Sequence, residues 1–511
     1  MRQSLARIGE PGSGTAHDHD FGVVIGTATV AQTVANSVNL LVGIGLLAYP
    51  AALRLGGWAG LGLLVLLAIG TRYTATLIAC IIEKLGGPRA ASTYTDMAQG
   101  AFGKPGAIFI SVCFFLELLC ACTSYLIVFA DNAGDLLHSR HGVTALVLVG
   151  ALVVLPSTWI RDLSILSYLS ILGAASSVVL VGVVLYTGLA HGTGVAFSDP
   201  AETQVFTGVL PSLAGFGVLV AGFAGHAVFP SIYCSMQERR QFGTALNWTY
   251  VVTIAVYGFV AVAGYILYGT HTKGQITLNL PNGIVTEVCL WTIVLNAVAK
   301  YSLTLGPVGE TVEGFIDAWH AQRQAKEPAD DVKKPFLAHD RSGPVRKGSA
   351  DLDMAGMRAA FDWDAPRPAV ESPQVFSLAH DEPSTHAASP TKQAGARTSA
   401  PTCRQRLCGC CDSPAERRAW VRTSVIRFIL TAIVTVVAIT LPFFETILGV
   451  CGAALSTTVS FIFPAAAYAQ VFGSEISATS RIFHWLFAVV STLFAVGGTI
   501  ASIAESGKTG S

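Results

Sequence analysis

The chain has 511 residues, of which 52% are hydrophobic and only 13% charged, with a mean hydropathy of +0.56. Soluble domains carry about 25% charged residues, so this composition argues against a soluble enzyme or binding module and for a polytopic membrane protein. The 32 basic and 32 acidic residues cancel, which points away from nucleic acid or an acidic partner surface.

Segment 1–28 opens on a polar stretch, Met1 to Asp20, with Arg2, Arg7, His17, Asp18, His19 and Asp20. It lacks the basic start and short apolar core of a signal peptide, so it is expected to be a cytosolic tail, with the first span as insertion signal. The hydropathy pattern predicts about eleven spans of roughly 20 residues. They fall at approximately 29–54, 58–82, 105–131, 142–159, 163–189, 209–235, 243–270, 283–309, 423–441, 443–470 and 481–504.

Span one reads Asn36-Ser37-Val38-Asn39-Leu40-Leu41-Val42-Gly43-Ile44-Gly45-Leu46-Leu47-Ala48-Tyr49-Pro50. Span six reads Gly222-Phe223-Ala224-Gly225-His226-Ala227-Val228-Phe229-Pro230. In each, the second glycine, Gly45 or Gly225, stands five positions before a proline. Glycine and proline weaken a helix interior, and backbone groups freed in lipid must find partners. Two such breaks at matching places in two halves point to the substrate site of a secondary transporter.

With the N-terminus cytosolic, Lys84, Arg89, Lys104, Arg161, Arg239 and Arg240 fall on the cytosolic side, and Arg54, Arg140, Lys273 and Lys508 on the other. That bias sets the orientation. It divides the chain into spans one to eight (29–320), a cytosolic loop (321–418), spans nine to eleven (419–505) and a short tail (506–511). The loop carries ten prolines in a mixed-charge, Ser/Ala-rich run that cannot bury enough apolar surface to order itself. Its Ser372-Pro373, Ser389-Pro390 and Ser413-Pro414 dipeptides are candidate phosphorylation sites.

Cys80, Cys113, Cys120, Cys122, Cys234, Cys289 and Cys451 lie in or beside apolar runs and read as small hydrophobes. Cys403, Cys408, Cys410 and Cys411 cluster beside Arg404, Arg406, Arg417 and Arg418 just before span nine. This suits S-palmitoylation better than zinc, whose paired knuckles need wider spacing. Neither a metal site nor a cofactor is expected.

Several ordered motifs together resemble the amino acid/auxin permease family, most closely its vacuolar and vesicular amino-acid transporter branch. Asn39, Gly43, Gly45, Leu46, Leu47, Pro50 and Gly57-Trp58 resemble its opening motif. Gly225-His226-Ala227-Val228-Phe229-Pro230-Ser231-Ile232-Tyr233, then Met236 and Phe242, is similar to its sixth-span motif. Lys300-Tyr301-Ser302-Leu303-Thr304-Leu305-Gly306-Pro307 is similar to its eighth-span pattern, and Phe443 through Gly449, Gly452 and Pro464 to its late signature. Ser92-Thr93-Tyr94-Thr95-Asp96 and Ala101-Phe102-Gly103 resemble the loop after its second span. The resemblance implies an all-α, LeuT-like fold: two inverted five-helix repeats plus one extra helix, with helices 1 and 6 broken. It also implies proton-coupled, less often sodium-coupled, movement of amino acids, in the membrane of a vacuole or another acidic organelle ahead of the plasma membrane.

An amino acid brings a carboxylate and an ammonium group into a poorly hydrated cavity. Half-helix N-termini favour the first and unwound carbonyls the second. The candidates for these backbone roles are Val42, Gly43, Ile44, Gly45 and Leu46 on span one, with Gly222, Phe223, Gly225 and His226 on span six. The alternative is that these glycines only allow close helix packing. Asn39 and Thr304 either hydrogen-bond substrate or tie helices together.

A charged residue at mid-span costs roughly 2.5–3.5 kcal/mol and needs a reason. The Lys300 ammonium is expected where sodium would sit in sodium-coupled relatives, or paired with a carboxylate, against a snorkelling alternative. His226 is either a proton-coupling group or a neutral histidine shaping the cavity. Glu117 is a proton acceptor or half of a structural ion pair, and Arg72 reaches the cytosolic interface or pairs with Glu117.

The expected function is therefore a proton-coupled amino-acid carrier working by alternating access. A membrane-embedded amino-acid sensor signalling through 321–418 and a sodium-coupled carrier are the alternatives. The chain has no H-E-x-x-H, G-x-S-x-G or phosphate-binding loop that would suggest an enzyme.

Overall fold

The computed structural model describes residues 26–138, 142–159, 163–190, 202–326 and 414–509. The tail before Gly26 lies outside the described residues, as do most of the expected loop, with Ser372-Pro373, Ser389-Pro390 and Ser413, and its four clustered cysteines.

The first helix, α1 (Val30–Leu41), begins at a capping box in which Thr29 and Gln32 satisfy each other's backbone N–H groups. It stops at Val42 and Gly43, whose backbone is extended. A 3₁₀ turn, Ile44–Ala48, leads into α2 (Tyr49–Gly56), and the bend across the break is 50°. Next come α3 (Ala59–Lys84) and α4 (Tyr94–Leu136). The motif 92–96 is the capping box that starts α4, with Thr93 and Asp96 bonding each other's backbone N–H groups. That helix begins well before the predicted span at 105 and kinks at Gly103, where φ is +67° ahead of Pro105. A side chain would strain this position.

The following elements are α5 (Val143–Ser157), α6 (Leu163–Ala190), α7 (Val209–Ala221), α8 (Phe229–Ser235) and α9 (Phe242–Tyr268). Then α10 (Ile284–Lys326) runs six residues past the boundary expected at 320. Pro442 separates α11 (Pro414–Thr440) from α12 (Phe444–Cys451). Two π-helical turns, Gly452–Ser456 and Thr458–Ile462, join α12 to α13 (Phe463–Phe472), and α14 is Ala478–Thr509.

Among the described residues, eight helices are long and apolar enough to cross a membrane, and the bent α1–α2 pair makes a ninth when taken as one span. The 15-residue α5 and 13-residue α7 fall short alone. The outward face of α14 explains why this is a multi-pass membrane protein. Ile482, Leu486, Val489, Leu493, Val496, Ile500 and Ile503 recur at helical spacing and are all exposed, while Ala488, Ala495, Ala501 and Ser502 face inward and are buried. Exposed apolar area costs roughly 25 cal/mol per Å² in water and nothing against lipid tails. Small residues on the inner face let backbones approach.

Around the core, α10 packs on α4 and α6, while α7 packs on α2, α12 and α14. Leu46, Tyr49, Leu53, Phe223, Phe229 and Tyr257 sit fully buried at the centre, where the two interrupted stretches meet.

Candidate functional site

The two prolines that the sequence places five residues after a glycine do the same structural work. Pro50 is the second residue of α2 and Pro230 the second of α8. A first-turn N–H has no intrahelical partner, so proline is tolerated there and its fixed φ helps the helix restart. Between Leu41 and Tyr49, and again between Ala221 and Phe229, the chain is not α-helical.

The breaks press against each other. A methyl group added at Gly45 would sit 3.2 Å from the Gly222 Cα, and one at Gly222 would sit 2.1 Å from the Tyr49 hydroxyl. The touching glycines are therefore Gly45 and Gly222. Gly225 faces the ends of Leu40 and Leu41 instead.

Two carbonyls freed by the breaks converge on one side chain. The Tyr257 hydroxyl, carried by α9, lies 2.5 Å from the Leu41 carbonyl oxygen and 2.7 Å from that of Gly222. Its ring packs 4.2 Å from Tyr49 and edge-on to Phe223 at 5.5 Å, centroid to centroid. Tyr49 in turn donates to the Leu219 carbonyl at 3.0 Å.

Lys300 reaches the other side of the first break. A methyl at Gly43 would lie 3.4 Å from its Nζ, and one at Gly173 would lie 2.9 Å from both its Cε and Asn296 Oδ1. Thus α10 presents Lys300 and Asn296, one turn apart, between Gly43 and α6. Asn296 is 4% exposed and its Oδ1 has no hydrogen-bond partner among the described residues. No ion pair of Lys300 is formed among the described residues. Thr304, the next turn of α10, is half-buried beside Tyr125, and Asn39 is half-buried on α1, one turn before Gly43.

His226 faces away from the first break. Its Nε2 is 3.0 Å from both the Thr71 carbonyl oxygen and Thr74 Oγ1 on α3. A carbonyl only accepts, so that nitrogen carries the proton. Glu117 accepts from Ser456 at 2.6 Å, on the first π turn, where such local widening often accompanies function. Arg72 donates to Asn247 at 2.6 Å and does not pair with Glu117.

At the Arg54 end, a cavity of about 420 Å³ is lined by Arg54, Asp131, Lys273, Gln275, Glu445 and Glu505, among others. Arg54, from the end of α2, holds Glu445 of α12 with two hydrogen bonds of 2.7 and 2.8 Å and donates to the Thr272 carbonyl at 2.9 Å. At the opposite end the chain before α1 pairs with the chain after α8, Ala28 N–H bonding Ser235 O and Gln237 N–H bonding Ala28 O. Tyr233 also donates to Glu83 there, at 2.6 Å, and Lys84 pairs with Glu475.

Residues 26–504 match the model of a family described as transmembrane amino acid transporter protein. The chain belongs to that family. Among curated relatives, Amino acid transporter AVT1C of Arabidopsis thaliana is 35% identical over 57% of this chain and 54% of its own length. Amino acid transporter AVT1B of the same plant is 34% identical over 60% and 57%, and the vesicular inhibitory amino acid transporter of Xenopus laevis is 26% identical over 54% and 55%. The chain thus spans about half the length of the curated relatives it matches. A solved manganese transporter of Eremococcus coleocola is 12% identical, covering 94% of this chain and 91% of that one at a TM-score of 0.46, a likeness too slight to bear on fold or function.

Within this family frame, the site has members that sequence reading passed over. Tyr257 and Tyr49 carry no motif that sets them apart from other aromatics in the spans, though a buried tyrosine hydroxyl always raises the question of its partner. The Arg54–Glu445 pair joins residues 391 positions apart that no periodicity links. Arg427, 5% exposed within α11, donates to the Thr158 carbonyl at the end of α5, where a cation complements freed carbonyls. An arginine inside a predicted span was the available signal.

Proposed function

We propose that this protein is a secondary carrier that moves amino acids across a membrane by alternating access, coupled to protons. The observation that carries this reading is the meeting of the two breaks, with the Leu41 and Gly222 carbonyls converging at one point, in a chain of the amino acid transporter family. Unwound carbonyls from both breaks suit the substrate ammonium, and the restarting turn at Ile44–Ala48 offers N–H groups to its carboxylate. The eleven-span arrangement, with α1–α2 and α7–α8 as the broken helices of two inverted repeats, belongs to this proposal.

In this reading the Lys300 ammonium, beside the first break, stands in for a coupling cation, which supports protons over sodium as the driving ion. An acidic organelle such as a vacuole provides that gradient. Uptake of radiolabelled neutral, acidic and basic amino acids into proteoliposomes tests the reading. Accumulation that follows an imposed pH gradient and collapses with a protonophore is expected; saturable binding without flux would favour an amino-acid sensor instead.

In this scheme the Arg54–Glu445 pair latches the cavity end, because α2 and α12 can separate only by breaking it. Glu445→Gln removes the charge that strengthens both bonds. A cysteine placed at Thr446, which lines the cavity, is then expected to react about five- to tenfold faster with a membrane-impermeant maleimide. An unchanged rate would mean the latch lies elsewhere.

A further inference from the structure

We propose that Tyr257 is the clasp of the empty carrier: its hydroxyl takes the place of the substrate's ammonium group between the Leu41 and Gly222 carbonyls, and substrate displaces it. The inference rests on the transport reading above and adds to it a positioning residue that acts when no substrate is bound.

The argument is one of donors and acceptors. Leu41 is the last residue of α1 and Gly222 follows the last residue of α7, so each carbonyl has lost its helical partner. A buried carbonyl without a donor costs about 1–3 kcal/mol, and here two lie together. The Tyr257 hydroxyl contacts both, at 2.5 and 2.7 Å, yet it has a single proton and can fully satisfy only one. An α-ammonium group has three N–H donors and a full charge, and its hydrogen bonds are roughly twice as strong. It therefore wins this position when present. When substrate leaves, Tyr257 is the donor that lets Gly45 and Gly222 close up again.

Position favours this role over simple packing. Tyr257 is the one described side chain bonded to both break carbonyls. It stands on α9, outside both interrupted stretches, so it can release either one. Tyr49 provides the contrast: it is equally buried and its hydroxyl neighbours that of Tyr257, but the carbonyl it donates to is that of Leu219, inside α7 and not at a break.

The experiment compares Tyr257→Phe and Tyr49→Phe with the wild type in proteoliposomes, using tritiated L-alanine, L-glutamate and L-arginine. Each is measured for net uptake into empty vesicles and for exchange into vesicles preloaded with the unlabelled amino acid. Exchange never requires the empty carrier to close, whereas net uptake does so every cycle. Tyr257→Phe is expected to lower net uptake on the order of tenfold, to keep exchange within about twofold, and to bind amino acid more tightly, since a competitor has gone. Tyr49→Phe is expected to change both modes alike. Equal loss of both modes in Tyr257→Phe, or weaker binding, would overturn the clasp.

Amide hydrogen exchange without amino acid gives a readout independent of transport. Faster exchange at residues 42–46 and 222–226 in Tyr257→Phe than in Tyr49→Phe is expected, and equal exchange overturns the proposal. A wild type that moves none of the three amino acids would count against the transport reading, and hydrogen exchange alone then decides the clasp.

Discussion

Replacing Lys300 by alanine is expected to abolish accumulation against a proton gradient, on the order of a hundredfold, while leaving the protein as stable as before or more so. The two readouts move apart for a physical reason. A lysine at mid-membrane costs roughly 2.5–3.5 kcal/mol, so a purely structural account would need a partner that repays it. No such ion pair is formed among the described residues. The ammonium lies near the extended backbone at Gly43 and near Gly173, which the Asn296 amide oxygen also approaches. A charge held there at a cost, without a carboxylate, is expected to earn its place in the transport cycle. Uptake at several pH gradients, with melting followed by fluorescence-detected size exclusion, checks both halves. An alanine protein that accumulates substrate with unchanged pH dependence would end the coupling role of Lys300.

The second large effect is expected at Gly222. Alanine there would place its methyl 2.1 Å from the Tyr49 hydroxyl and 2.6 and 2.7 Å from two of its ring carbons. Tyr49 cannot move aside cheaply, because it is fully buried, bonded to Leu219 and packed on Tyr257. Overpacking of this kind costs about 1–3 kcal/mol, and here it falls on the contact between the two breaks. Uptake is expected to drop at least tenfold, which corresponds to about 1.4 kcal/mol and lies inside that range.

A graded series makes the test specific. Gly45→Ala meets the Gly222 Cα at 3.2 Å, whereas Gly225→Ala meets only the ends of Leu41 and Leu40 at 2.9 and 3.2 Å. Flexible leucine ends yield more readily than backbone, so transport should fall most at Gly222, less at Gly45 and least at Gly225. Equal activity of the Gly222 and Gly225 variants would show that the breaks do not close on each other as argued.

The breaks themselves were legible in the sequence because a helix interruption is a local event. Gly43, Gly45 and Pro50, like Gly222, Gly225 and Pro230, carry it in their own backbone preferences. The partner of each glycine was not legible. Gly225 looks like the counterpart of Gly45 by spacing, yet Gly222 is what Gly45 touches, because contact across helices depends on how α2 and α7 are rotated against each other. His226 shows the same limit. Its place after the second break suggested the cavity, but it turns toward Thr71 and Thr74 of α3.

The sequence by itself determined that this is a multi-pass, helical membrane protein, since composition and runs of apolar residues set what can dissolve in a bilayer. It also determined where two of its helical stretches stop and restart, since glycine and proline act on their immediate neighbours. Only the tertiary structure decided which carbonyls converge on Tyr257, that Lys300 reaches Gly43, and that Arg54 grips Glu445. Each joins residues tens to hundreds of positions apart, and no short-range preference of the chain encodes such a distance.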